Sequence, residues 1–216
     1  MFYLQAGRVS SYNDIYNRQF DRIGAEMKTI ILASQSPRRR ELMKQIGLKC
    51  EVYPSEVTED IDRRLGPHEL AKSLSAAKAE AVARRHPHAL IIAADTLILF
   101  EGKVMGKPAD RNDARRMLGE LSGKAHLVIT GFTVADGGRA VSRSVETKVY
   151  LKTLPPDEIE AYVNSGEPMG KAGAYAIQGL GAAIVEKIEG DYFNVVGLPL
   201  HALTETLKEF GVEVLK

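Results

Sequence analysis

From residue 28 onward, the chain alternates short apolar runs with longer segments that carry the 3.6-residue period of a helix. The first run, Ile30-Ile31-Leu32, is typical of a short buried strand. Farther along, two long segments of β-type sequence, residues 124–136 and 139–154, are joined by Gly137-Gly138, which predicts a hairpin. Because strand–helix units and antiparallel hairpins occur together, we predict an α/β fold with a mixed sheet and flanking helices.

The other expected elements follow in order along the chain. They are a helix beginning near Pro37, a second strand over residues 48–54, a helix between Pro67 and Pro87, a third strand over residues 89–95, a hairpin around Glu101-Gly102, a helix capped by Asp110, a helix after Pro155-Pro156 and a last helix from about Pro199 to Phe210. A glycine-rich stretch separates the last two helices.

Composition limits the number of domains and the class of partner. The 216 residues, 44% of them hydrophobic and 26% charged, suit one substantial domain. A net charge of +1 argues against a broad nucleic-acid-binding surface, and no apolar stretch approaches the roughly 20 residues that cross a membrane. The single cysteine, Cys50, cannot form an internal disulfide, so we expect a cytoplasmic protein.

The amino-terminal segment stands apart from this pattern. Residues 1–26 have neither the apolar core of a signal peptide nor a clean helical period. We therefore predict an extension, flexible or loosely docked, followed by one domain over residues 27–216.

Serines and arginines surround the start of the first predicted helix. Ser36-Pro37 supplies an N-cap and a proline at the first helical position, and Arg38, Arg39 and Arg40 follow in the first turn. Cations are unfavourable there unless an anion is bound, so Ser34, the helix terminus and the arginines fit a phosphate site. The alternative is a capped helix whose arginines face solvent.

Four other residues are candidates for chemistry. Asp95 is expected at the end of an apolar strand, where it suits a general base, a metal ligand or simply a turn. Lys78 lies on the inward stripe of a long helix, and Lys107 precedes a proline. Gln178, before Gly179, carries the donor and acceptor that recognition of a base requires, or faces solvent.

Two familiar site patterns are rejected. "GELSGKA", from Gly119, has three residues between its glycines and no hydroxyl residue after its lysine, so it is not a phosphate-binding P-loop. No nucleophile elbow is present, and the lone His126 on a predicted strand is expected to be structural.

Six motifs occur in an order and spacing that resemble the Maf family of nucleoside triphosphate pyrophosphatases. They are "LASQSPRRREL", "AADTLI", "GKP", "LSGKAHLVITG", "GEPMGKAGAYAIQG" and "NVVGLPL". The resemblance, which covers residues 28–210, implies an elongated α/β fold of two lobes around a cleft, related to inosine triphosphate pyrophosphatases. It also implies a cytoplasmic, often dimeric enzyme that splits a nucleoside triphosphate into monophosphate and pyrophosphate with Mg²⁺ or Mn²⁺.

The same resemblance implies roles for individual residues. Asp95 matches the proton acceptor, and substrate selection falls to Arg38, Thr96 and Gln178. Further polar residues that match the cleft lining are Ser34, Arg39, Glu59, Lys78 and Lys107. Lys78 and Lys107 would assist catalysis by neutralising phosphate charge, and Glu59 with Asp95 would hold the metal.

The resemblance also favours one substrate class. "SPRR", "ADT" and "AIQG" are similar to the subgroup that hydrolyses dTTP and UTP, with modified uridine nucleotides as further substrates, whereas the alternative subgroup acts on 7-methyl-GTP. There are two other hypotheses. One is a regulator of septum formation that acts in cell division by binding a partner, and the other is a nucleotide sensor without turnover.

Overall fold

The computed structural model describes residues 28–55, 57 and 64–215. The predicted extension over residues 1–26 and the predicted metal ligand Glu59 therefore lie outside the described residues. No helix within the described ranges is both long enough and apolar enough to cross a bilayer.

Within the described residues, seven strands form one mixed sheet, as the alternating sequence predicts. Their bounds are β1 Ile30–Leu32, β2 Glu51–Val52, β3 Leu90–Phe100, β4 Lys103–Met105, β5 Ala125–Asp136, β6 Arg139–Leu151 and β7 Val185–Glu189. The order is β2-β1-β3-β5-β6-β7, and β4 pairs with β3. β1 runs parallel to both β2 and β3, and every other pairing is antiparallel.

Helices cover both faces of the sheet. Their bounds are α1 Pro37–Gln45, α2 Pro67–Ala83, α3 Arg111–Leu121, α4 Pro156–Asn164, α5 Tyr192–Val196 and α6 Leu200–Lys208, with 3₁₀ turns at Ala172–Ala174 and Gly179–Ala183. The predicted caps are confirmed: the Ser36 side chain accepts a hydrogen bond from the Arg39 N–H, and Asp110 accepts one from the Asp113 N–H.

One prediction about the sheet is wrong and matters for the site. Asp95 was expected at the end of a strand, but β3 continues through it to Phe100, so Asp95 lies in mid-strand. The reason is that β5 pairs with β3 over residues 91–99, and this long antiparallel partner extends the strand beyond the point where short β1 stops. The second strand is also shorter than expected, since only Glu51–Val52 pairs with β1.

Alternation along β3 sends neighbouring side chains to opposite faces of the sheet. Ile91 and Ala93 pack beneath α2, and Leu97 joins a neighbouring cluster under the same helix. On the other face, Ile92 and Ala94 belong to a cluster with α1 and α6, whereas Ile98 and Phe100 belong to a second cluster with α3 and α4. The two clusters form the two expected lobes, with Thr96 between them.

Candidate active site

A gap in one edge of β3 opens the cleft. β1 pairs with residues 90–92 of that edge and β4 pairs with residues 98–100, so no strand among the described residues pairs with residues 93–97 there. The opposite edge is continuously paired with β5. The resulting cleft has a volume of about 780 Å³, and both Asp95 and Thr96 line it.

The structure brings most of the predicted site residues to this cleft. Those that line it are Ser34, Arg38, Arg39, Lys78, Asp95, Thr96 and Lys107. Gln178 is half-buried and directly follows three lining residues, Tyr175, Ala176 and Ile177. Arg40 is exposed, so it does not share the cleft with Arg38 and Arg39.

Asp95 and Lys78 form a buried ion pair on the α2 face. The Lys78 Nζ donates a hydrogen bond to Asp95 Oδ1, and the side chains are only 12% and 9% exposed. The contact depends on how closely α2 approaches the sheet. Gly131, the β5 partner of Asp95, makes this approach possible, because a Cβ atom at Gly131 would lie 2.2 Å from the Ala71 carbonyl.

Arg39 is bound into the framework of the cleft. Its Nε donates to the Gly197 carbonyl at 2.7 Å, its Nη1 donates to the Ala94 carbonyl at 2.8 Å and to Ser34 Oγ at 3.3 Å, and its Nη2 donates to Thr96 Oγ1 at 3.0 Å. These bonds join α1, β3 and the end of α5. Direct contact between Arg39 and substrate stays a prediction, and the geometry already gives Arg39 a role in holding Ser34 and Thr96.

Arg38 has different surroundings from Arg39. Burial lowers the pKa of the Arg38 guanidinium, while Tyr162 and Glu167 act in the opposite direction. Within the described part of the chain, the Arg38 guanidinium makes no hydrogen bond. A partly desolvated guanidinium at a helix N-terminus is suited to binding phosphate oxygens.

Sequence reasoning missed Lys171, a further cation in the cleft wall. Its Nζ donates to the Glu167 carbonyl oxygen, and burial, followed by the nearby Arg38, lowers its pKa. Two desolvated cations on one wall favour an anionic ligand. Its motif, "GEPMGKAG", stands out by its glycines and by its resemblance to the family, and neither feature singles out the lysine.

Glu167 anchors the segment that carries Gln178, and it too was missed. Its two carboxylate oxygens accept hydrogen bonds from the Leu180 and Gly181 N–H groups and from the Tyr162 hydroxyl, at 2.8–3.0 Å. Burial acts to raise the pKa of Glu167, but these hydrogen bonds outweigh burial and lower it. The carboxylate thus fixes the turn that follows Gln178.

The cleft has a polar half and an apolar half. Around Thr96, on the face that carries α5, the lining residues are Ile98, Val128, Tyr175, Ile177, Val195 and Val196. Tyr175 is fixed from behind by the buried His126, whose Nε2 lies 2.6 Å from the tyrosine oxygen. An apolar recess beside a cationic wall matches a ligand that has a flat base at one end and phosphates at the other.

The donors in the cleft are compatible with a divalent cation shared with a ligand. No group of three or more His, Cys, Asp or Glu residues that could hold a metal occurs among the described residues. Asp95 is the carboxylate that lines the described part of the cleft. Because Mg²⁺ commonly takes one or two protein carboxylates and completes its shell with water and phosphate oxygens, Asp95 fits that binding mode.

The sequence matches a family model and several named proteins over most of its length. The family model described as Maf-like protein matches residues 29–210. Proteins named dTTP/UTP pyrophosphatase from Moorella thermoacetica and Methanosarcina barkeri are 50% and 48% identical to this chain, cover 87% and 88% of it, and are themselves each covered over 98% of their length. Among solved structures, the Ham1 protein of Staphylococcus aureus matches with a TM-score of 0.40 and 15% identity, over 57% of this chain and 72% of that chain.

Proposed function

Because this chain belongs to the Maf family, we propose that it is a nucleoside triphosphate pyrophosphatase that hydrolyses dTTP and UTP to the monophosphate and pyrophosphate. The relatives carry that name and align over almost their whole length. The observation that carries the proposal is the Asp95–Lys78 pair, which lines the same cleft as the cationic side chains and the apolar recess.

The polar half of the cleft binds the triphosphate in this proposal. Arg38, Lys107 and Lys171 line it, together with the N-terminus of α1 and the Ser34 hydroxyl. Splitting the bond between the α- and β-phosphates leaves negative charge on the departing pyrophosphate, and preorganised cations stabilise that charge as it develops.

Asp95 is the proton acceptor. It orients a water molecule whose oxygen attacks the α-phosphorus, the bond to the bridging oxygen breaks, and the water's proton passes to the carboxylate. Lys78 holds Asp95 in place through their ion pair, and no covalent intermediate is required.

A divalent cation, Mg²⁺ or Mn²⁺, is part of the proposal. Asp95, with Glu59 as the second expected ligand, would hold it against the phosphates. When bound, the ion neutralises phosphate charge and polarises the reacting phosphoryl group.

The base occupies the apolar recess, with Thr96 and Gln178 as its polar contacts. This arrangement and the names of the relatives favour a pyrimidine over 7-methyl-GTP. A cytoplasmic dimer is the expected state of the enzyme, and sedimentation velocity of the full chain tests the dimer.

The test measures pyrophosphate release from dTTP, UTP, CTP, GTP, 7-methyl-GTP and ITP with Mg²⁺ or Mn²⁺. We expect selective turnover of dTTP and UTP, and a fall in kcat of about 10²–10⁴-fold in Asp95→Asn, the range for removal of a general base. Asp136→Asn is the matched control, because Asp136 also forms an ion pair with a lysine, Lys28, and lies outside the cleft. It should keep wild-type turnover.

Three outcomes contradict parts of the proposal. Equal turnover by wild type and Asp95→Asn removes Asp95 from the reaction. Turnover of 7-methyl-GTP alone overturns the substrate class. Absence of any turnover favours a sensor or a regulator of septum formation.

A further inference from the structure

A buried chain of hydroxyl and amide groups runs from the cleft into the sheet. Arg39 Nη2 lies 3.0 Å from Thr96 Oγ1, Thr96 Oγ1 lies 2.9 Å from Thr130 Oγ1, and Thr130 Oγ1 lies 2.9 Å from the Asn194 carbonyl oxygen. Thr130 and Asn194 are fully buried, whereas Thr96 is half-buried and lines the cleft. This series of hydrogen bonds connects the cleft to α5.

The direction of every hydrogen bond in this chain is fixed by chemistry. A threonine hydroxyl has one proton, and a carbonyl oxygen only accepts. Thr130 therefore donates its proton to the Asn194 carbonyl, and its bond with Thr96 requires Thr96 to be the donor. Arginine only donates, so Thr96 accepts from Arg39.

The Asn194 side chain holds this arrangement in one orientation. Its Oδ1 accepts from the Thr130 N–H at 3.2 Å, and its Nδ2 donates to the Val128 carbonyl at 3.0 Å and to Thr147 Oγ1 at 2.9 Å. A flipped amide would place its NH₂ group against the Thr130 N–H and its oxygen against the Val128 carbonyl. The amide orientation is thus determined by backbone groups on β5.

These bonds determine how the Thr96 hydroxyl can hydrogen-bond to a ligand. Its proton is committed to Thr130 and one lone pair is committed to Arg39, so the hydroxyl of Thr96, which lines the cleft, retains one uncommitted lone pair. Thr96 can accept a hydrogen bond from the ligand and cannot donate one without breaking the chain.

We propose that Thr130 and Asn194 are specificity-determining residues, because they orient the Thr96 hydroxyl as an acceptor for the imide N3–H of a uracil or thymine ring. The proposal rests on the pyrophosphatase function above and deepens it. Cytosine carries a lone pair at N3, so it would face the Thr96 oxygen with a second acceptor. Thr130 and Asn194 act through Thr96 and are positioning residues.

Thr130→Val is the decisive variant, because valine keeps the shape of threonine and removes the hydroxyl. The Thr96 proton then loses its acceptor and becomes available to N3 of cytosine. We expect the ratio of kcat/KM for UTP over CTP to fall by about tenfold or more, since sites that hydrogen-bond a substrate group discriminate strongly against analogues that lack it. Most of the change should be in KM, and Thr130→Ser should restore the ratio.

Thr133→Val is the matched control. Thr133 lies on the same strand, is also buried, and its hydroxyl lies 2.8 Å from both the Ser75 and Ser142 hydroxyls, but it does not line the cleft. Each valine variant loses two hydrogen-bonding contacts of a buried hydroxyl, so the stability loss of Thr133→Val should be similar while its UTP/CTP ratio stays at the wild-type value.

A binding measurement separates this inference from the proposed function. Calorimetric titration of UTP and CTP in EDTA gives the ratio of dissociation constants without hydrolysis. A wild type that releases no pyrophosphate but prefers UTP in binding, with the preference lost in Thr130→Val, refutes the enzyme function and supports the inference. Equal binding of UTP and CTP by wild type, or an unchanged ratio in Thr130→Val, overturns the inference. If Thr130→Val fails to fold, Thr130→Cys, whose thiol hydrogen-bonds weakly, replaces it under the same criteria.

Discussion

Gly131→Ala tests whether the close approach of α2 positions the Lys78–Asp95 ion pair. Gly131 lies opposite Asp95 on β5, directly under the backbone of α2. A Cβ atom there would lie 2.2 Å from the carbonyl carbon and oxygen of Ala71 and 2.6 Å from the Lys72 nitrogen. These are backbone atoms of a helix, so no side-chain rotation relieves the clash.

The size of the effect follows from these distances. Ordinary van der Waals contact begins at 3.4 Å, so α2 must move by roughly 1 Å or the strand must yield. Overpacking of this kind costs about 1–3 kcal/mol of unfolding free energy. Lys78 moves with the helix, and a displacement of about 1 Å of a positioning group lowers kcat by up to ~10²-fold.

The assay pairs urea denaturation with steady-state pyrophosphate release from UTP. Gly119→Ala is the control, because Gly119 lies within α3 and a Cβ there would meet no atom within 4 Å. It should gain up to about 1 kcal/mol and keep full activity. Gly131→Ala with wild-type stability would refute the packing argument. Lower stability with unchanged kcat would show that the position of α2 does not control Lys78.

Two further predictions concern groups behind the cleft. Glu167→Gln would set a side-chain NH₂ group against the Leu180 or Gly181 N–H, so the segment that carries Gln178 should be held less firmly. We expect KM for UTP to rise more than kcat falls. Glu158→Gln, which alters a surface ion pair with Lys152, is the control. Burial lowers the pKa of His126 to about 4 from 6.5, so the unfolded chain binds a proton between these values that the folded chain does not. The free energy of unfolding should therefore fall as pH decreases from 6.5 to 4, by at most about 1.4 kcal/mol per pH unit, and urea titrations across this range should show a shallower fall in His126→Gln.

Local rules predicted the elements whose causes are local. Ser36-Pro37 placed the start of α1, and the apolar stripe of α2 predicted that Lys78 faces inward, which the contact with Asp95 confirms. These results depend on capping and helical periodicity within a few residues of sequence.

The position of Asp95 could not be predicted in the same way. Whether β3 ends or continues depends on β5, which pairs with it from residues 125–136, and on the short length of β1. Glu167 escaped sequence reasoning for a related reason, since its role is visible only from the N–H groups that it binds at residues 180 and 181.

The three consecutive arginines show how local geometry and long-range contacts combine. Successive residues of a helix project about 100° apart, so the three side chains of one turn cannot share a role. Arg39 projects under α5 and binds two backbone carbonyls, Arg38 enters the cleft beside Glu167, and Arg40 faces solvent. The carbonyl oxygens offset the positive charge of Arg39 at the helix N-terminus. The carboxylate near Arg38 is that of Glu167, which already accepts hydrogen bonds from the segment after Gln178. Bound phosphate would therefore supply the hydrogen-bond acceptors of Arg38. It would also link the proposed triphosphate site to the segment expected to contact the base.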